Sequence, residues 1–252
     1  RCLPFRRVNQ KREKNYNGNF GYVKSFYSFA TLPITVGIVS MEPKERIQEK
    51  AHELFLQFGI RSVSMDDIAN SLGMSKKTLY QNFADKDELV DGVVDSHVTD
   101  MQEECGSCRK DAKDAIHEIF ITMERIIVQL SNMNPMVVND LAKFHFKSYE
   151  RFKQHKNQFL AKIIRENIEW GKSEDLYRSD INTDVMSKFR LESMMIPFNI
   201  SIFPPGKYNL GDISGQIIEH FVYGLATIKG HKLIQKYKLE KKSHANESKM
   251  AL

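Results

Sequence analysis

Residues 64–83 read SMDDIANSLGMSKKTLYQNF, two short amphipathic segments on either side of a glycine. Ser64 opens the first: its hydroxyl can accept a free backbone N–H, and Asp66 and Asp67 suit the positive first turn of a helix. Ile68, Ala69 and Leu72 supply an apolar stripe at helical spacing. Gly73 follows Leu72, where a helix end favours a residue that tolerates positive φ. Ser75 can cap a second helix, held down by Leu79 and Phe83 four positions apart. That leaves Lys76, Lys77, Thr78, Tyr80 and Gln81 away from the stripe, with Ser75 at their head. Two cations, a hydroxyl, a phenol and an amide can grip phosphates and hydrogen-bond base edges. Helix, tight turn and polar second helix form the helix-turn-helix pattern. The bland alternative, a hairpin with a solvated face, accounts for fewer of these positions at once.

On either side the signals continue. Pro43 to Phe58 predicts a helix with proline in its first turn and Ile47, Ala51, Leu54, Phe55 and Phe58 on one face, ended by Gly59. Downstream, Asp85 with Glu88 three residues later is a capping box, and Lys86 beside that N-terminus suits a phosphate. This fourth helix is expected to run to about Glu104 and to link the motif to the rest of the chain.

Phe58-Gly59, Asp67-Ile68-Ala69, Gly73-Met74-Ser75, Leu79-Tyr80, Phe83, Lys86 and Leu89 resemble the N-terminal DNA-binding domain of the TetR family of bacterial regulators. The resemblance is specific over residues 45–97. It implies an all-α protein of about nine helices: a three-helix DNA-binding domain over 41–97, including the start of the linking helix, and a larger helical effector-binding and dimerisation domain over 98–230. It also implies double-stranded operator DNA, a second copy of the chain and a small effector as partners. No cofactor, metal or membrane is expected, and the location is cytoplasmic, on the bacterial nucleoid.

The remaining helices follow from periodicity. They are expected over 111–131, from Asn134-Pro135 onward, over 148–171 as one long helix, over 183–202 with Pro197 kinking or ending it, and over 212–229. The last carries more apolar surface than one core-facing stripe needs. Together with Met186, Phe189 and Ser193, its Ile217, Ile218, Phe221 and Leu225 make the expected dimer seam. A Met- and Phe-rich set, Phe120, Met123, Met136, Phe144, Trp170, Met194 and Phe198, is the expected lining of an adaptable apolar pocket. Residues 231–252 read as a basic, solvated tail.

Composition fits this picture. The 252 residues are 41% hydrophobic and 27% charged, with a formal net charge of +5. Residues 1–40 carry seven Lys or Arg and one acid, and without them 30 basic face 31 acidic residues. Nucleic-acid binding is therefore a local property. Residues 1–40 have no core-forming period and are expected to be a disordered extension preceding a start at Met41. No Gly-rich phosphate loop, GxSxG, HExxH or paired carboxylate set occurs, so no enzyme is predicted. Two other functions compete with a ligand-released homodimeric repressor. One is a thiol redox sensor acting through Cys105 and Cys108, placed near a helix end; the other is a helical ligand carrier with a vestigial motif.

Overall fold

The computed structural model describes residues 42–250, with side chains to residue 241, so the expectations for residues 1–40 lie outside the described residues. Eleven α-helices are found among the described residues, with no strand beyond two isolated bridges. The head consists of α1 (Pro43–Phe58), α2 (Met65–Ser71), α3 (Lys76–Asn82) and the start of α4 (Lys86–Asp111). Each helix is built from local signals. Pro43 opens α1, Ser64, Ser75 and Asp85 cap the next three, and Ile47, Ala51, Phe55, Ile68, Leu79, Phe83 and Leu89 close one core. All seven are at most 2% exposed, so the crossing of α1 over α2 and α3 is fixed by their shared apolar face.

The body comprises α5 (Ala115–Ser131), α6 (Met136–Phe144), α7 (Phe146–Gln154), α8 (Ala161–Ser173), α9 (Thr183–Ser193), α10 (Leu210–Leu225) and α11 (Ile228–Met250). Its own core joins Ile116, Phe120, Met123, Ile168, Tyr177, Phe221, Val222, Leu225 and Ile234. The head's core does not stop at α4. Leu141 of α6 is buried within it, and Val137, Tyr149 and Phe152 pack against it.

Several expectations are corrected. The helix count rises from about nine to eleven for two reasons. The single helix expected over 148–171 begins at Phe146 and is interrupted by a π-helical turn, His155–Leu160, between α7 and α8. The basic tail is not a solvated strand of chain but α11. Ile234 is fully buried and Tyr237 nearly so, with the Tyr237 hydroxyl donating to Asp114 at 2.5 Å and its ring stacked on His117. The helix expected to reach 202 ends at Ser193, and a 3-10 turn, Ile196–Phe198, follows; Pro197 has no N–H to continue the ladder. The helix expected over 212–229 starts earlier, capped by Asn209, and stops at Leu225. There the turn after α8 takes over the backbone: Arg178 N–H donates to the Leu225 carbonyl and Thr227 N–H to Leu176.

Helix α4 passes its expected end at Glu104 and continues to Asp111, carrying Cys105 and Cys108 inside it rather than at an end. Tertiary ties outweigh the cost of Gly106 in its interior. Arg109 pairs with Glu118 at 2.8 Å and lies 3.7 Å above the Trp170 ring.

The apolar surplus on α10 is consumed within the chain, because α5 packs along one side and α11 closes beside it. Of the residues expected at a dimer seam, Ser193, Ile218, Phe221 and Leu225 are therefore buried in their own protomer, at 4% exposure or less. Met186 and Ile217 are half-buried, and Phe189 is 50% exposed while stacking on Phe221.

Candidate DNA-reading helix and effector cavity

The turn between α2 and α3 is set by three local devices. At the start of α2, Asp67 N–H donates to Ser64 Oγ at 3.1 Å while Ser64 N–H donates to the Asp67 carboxylate at 2.8 Å. This reciprocal box completes what Ser64 alone promised in the sequence. The Ser64 hydroxyl also donates to that carboxylate, at 2.6 Å, and with the Ser64 N–H it holds the Asp67 carboxyl below its usual range. At the turn, Gly73 takes φ +62°, a left-handed conformation that a side chain would strain. Ser75 then caps α3 by accepting from Thr78 N–H at 3.1 Å, and its hydroxyl also meets Thr78 Oγ1 at 2.8 Å.

Leu79, fully buried, pins α3 to the core, so the opposite side of the helix faces out. Lys77, Tyr80 and Gln81 are exposed there and Thr78 partly so. Lys76 is also exposed but ion-paired with Asp66, a contact that raises its pKa and, being solvent-facing, is weak enough to exchange for a phosphate. Lys86 sits differently. Its ammonium donates to the Ile60 carbonyl at 2.6 Å and lies 5.9 Å from the Phe55 ring centre. Burial draws its pKa down against the pull of Asp140, Asp87 and Asp67. Any phosphate contact by Lys86 would use its remaining protons.

Head and body share backbone partners that the sequence did not reveal. Arg61 N–H donates to the buried Asp140 carboxylate at 2.9 Å, and Asn134 N–H donates to the Leu56 carbonyl at 2.6 Å. The first pair is 79 positions apart, so no local pattern could have flagged Asp140. Along α4, α7 is stitched by Lys147 to Asp91 at 2.7 Å, Arg151 to Asp95 at 2.6 Å, and a Ser148–Asp91 hydrogen bond.

Behind the head, three adjoining cavities of about 150, 80 and 130 Å³ lie among α4, α5, α8, α9 and α10. Of the residues proposed for the pocket, Met194 and Phe198 line the largest of the three and Met123 the smallest. The other pocket residues are placed elsewhere. Phe120 is packed in the core against Tyr237, Trp170 lies beneath Arg109, and Phe144 is half exposed beneath Arg61. Met136 is half-buried at the start of α6 and borders none of the three cavities. The π-helical turn contributes Lys156 and Leu160 to the largest cavity. His97, also on its wall, is held near a pKa of about 4 by burial, His52 and His155, and is neutral at physiological pH. Cys105 and Cys108 line the third cavity. Burial, with Cys108 and Glu104 beside it, pushes the Cys105 thiol up to about 11, and burial raises Cys108 as well. Reactive sensor thiols are shifted the opposite way.

Residues 47–93, from α1 into α4, match the profile of bacterial regulatory proteins, tetR family. An HTH-type transcriptional regulator of Staphylococcus aureus is 25% identical over 166 residues, covering 65% of this chain and 82% of the relative. Over residues 47–93 the chain carries a TetR-family DNA-binding domain. The uncharacterised HTH-type transcriptional regulator YvaF of Bacillus subtilis is 27% identical over 106 residues, 42% of this chain and 55% of that protein. Solved structures share the fold. A TetR-family regulator from Agrobacterium tumefaciens aligns with a TM-score of 0.62 at 13% identity, over 73% of this chain and 97% of that one. A regulator from Saccharomonospora viridis solved with choline aligns at 0.59 and 15% identity, over 73% and 97%. With this domain at its head and transcriptional regulators as its relatives, the chain is a DNA-binding transcriptional regulator rather than an enzyme. No helix among its described residues is long and apolar enough to cross a membrane.

Proposed function

We propose that this regulator is a cytoplasmic homodimeric repressor, released from its operator when a small apolar or amphipathic molecule fills the cavity behind the head. The observation that carries the reading is that α4 is common to both sites. Its first turn closes the head's core through Leu89, and its later residues Met101, Cys105 and Cys108 line the cavities. A ligand that shifts α4 moves the reading helix with it. Operator and ligand then weaken each other by one shared coupling free energy, of order 1–3 kcal/mol.

One α3 offers few base contacts, so two half-sites read by a symmetric pair are required for useful specificity. The seam we propose uses the outer faces of α9 and α10, with Val185 and Phe189, both at least half exposed, at its centre. Phe189→Glu is expected to give monomers in sedimentation with helical content unchanged. A dimer that persisted in this variant would exclude α9 from the seam.

Base reading is assigned to Gln81, whose amide can pair with adenine, and to Thr78, with Lys77 and Tyr80 on phosphates. Gln81→Ala is expected to cost about 1–3 kcal/mol at one base pair and to relax preference there. Lys77→Ala should weaken all sequences alike and flatten the salt dependence. Gel shifts on the chain's own upstream DNA, run across a salt series, separate the two effects. Wild-type behaviour of both variants would remove α3 as the reader.

A further inference from the structure

Two side chains line all three cavities, Ile126 of α5 and Arg190 of α9, and of these Arg190 carries the charge. It is 9% exposed, and its guanidinium lies 5.8 Å from the centre of the Phe221 ring. Its side-chain partner is Ser193 Oγ, at a long 3.5 Å. Among the described residues no carboxylate forms an ion pair with it, although every nearby charge has a partner. Glu118, on the walls of the second and third cavities, is held by Arg109 at 2.8 Å and by Asn167 at 2.7 Å. Glu104 and Arg125 face each other on the third cavity, and Lys156 on the first is paired with Glu192 at 2.9 Å. His97 is uncharged. The remaining walls are mostly carbon: Met101, Ile126, Leu130, Leu160, Met194 and Ile218.

A buried cation without a counter-charge is costly, and proteins keep one where something else supplies the charge. Water cannot do so as well as a carboxylate, whose two oxygens match the guanidinium fork. We propose that the cavity's ligand is an elongated aliphatic monocarboxylate, its tail in the apolar chambers and its carboxylate on Arg190. This rests on the effector-cavity reading above and assigns its chemistry. Burial lowers the Arg190 pKa to about 10, which still leaves it charged at neutral pH.

The test is calorimetric titration of the full chain with decanoate, 1-decanol and decyltrimethylammonium. They share an apolar tail and differ in the charge of the head. Wild type is expected to bind decanoate at least about tenfold more tightly than the alcohol, the usual margin for a charge-assisted pair, and to bind the cation worst. Arg190→Met should lose that margin while keeping the affinity for the alcohol, and should melt at a higher temperature than wild type without ligand. Arg190→Lys, which keeps the charge but not the fork, should keep part of the margin and serves if the methionine variant does not fold. Equal binding of acid and alcohol by wild type, or a margin that survives in Arg190→Met, overturns the assignment and leaves the cavity as an effector site. Failure of all three probes to bind overturns the assignment together with the cavity reading.

Discussion

Gly171→Ala is expected to unfold the body. A Cβ at this position would stand 2.1 Å from Cδ2 and 2.2 Å from Cε2 of Tyr177. Those are ring atoms, not the loose end of a flexible chain. Tyr177 is 1% exposed, and its hydroxyl donates to the Ala115 carbonyl at 3.3 Å and to Asn167 at 3.2 Å. The ring cannot retreat without breaking both bonds and opening the core around Ile116 and Ile168. Overpacking ordinarily costs about 1–3 kcal/mol, and a buried, hydrogen-bonded ring at this distance puts the case at or beyond the upper end. Urea unfolding followed by circular dichroism gives the midpoint. The control is Gly224→Ala, where an added Cβ meets nothing within 4 Å on the exposed face of α10. That change should stabilise by up to about 1 kcal/mol through helix propensity. Equal midpoints for the two variants would mean that the Tyr177 ring moves aside freely.

Leu79→Ala is expected to abolish operator binding without touching a DNA-facing side chain. Leu79 is the fully buried anchor of a helix only seven residues long. Truncating a buried leucine costs about 2–5 kcal/mol, depending on how far the site collapses. So short a helix has no stability of its own and holds its shape only through packing. Lys77, Tyr80 and Gln81 would then be presented by a mobile segment, and binding would carry the cost of ordering it. Gel shift and urea midpoint, measured on the same protein, report the two losses together. Tight operator binding by Leu79→Ala would show that DNA contacts alone order α3.

The head was legible because its instructions are local. Pro43, Ser64, Gly73, Ser75 and Asp85 act on neighbours within four positions, and the helices they frame lie where the pattern put them. The body was less legible because tertiary contacts decide its boundaries. Gly106 and Cys105 look like a helix end until Arg109 is seen tied to Glu118 and Trp170. Lys232, Lys236 and Lys238 read as a solvated tail because the pattern of charge hides Ile234 and Tyr237 on the inner side of α11. The same limit applies to the cavity. Composition pointed to Met and Phe, but which of them face open space depends on how five helices assemble. The burial of Arg190 is not legible either, because in a sequence an arginine on a helix reads as part of a solvated face.

The pair of backbone bonds from Leu56 and Arg61 to the α5–α6 region has a consequence for protein engineering. Recombining regulators by grafting one reader onto another sensor assumes that the reader is a self-contained cassette. Here the cassette is open at one corner: the last turn of α1 and the loop after it borrow an amide from Asn134 and a carboxylate from Asp140. A chimera cut within α4 would leave those groups facing a foreign surface. The transplantable unit is the head together with α6, two pieces of chain that are discontinuous in sequence and contiguous in space.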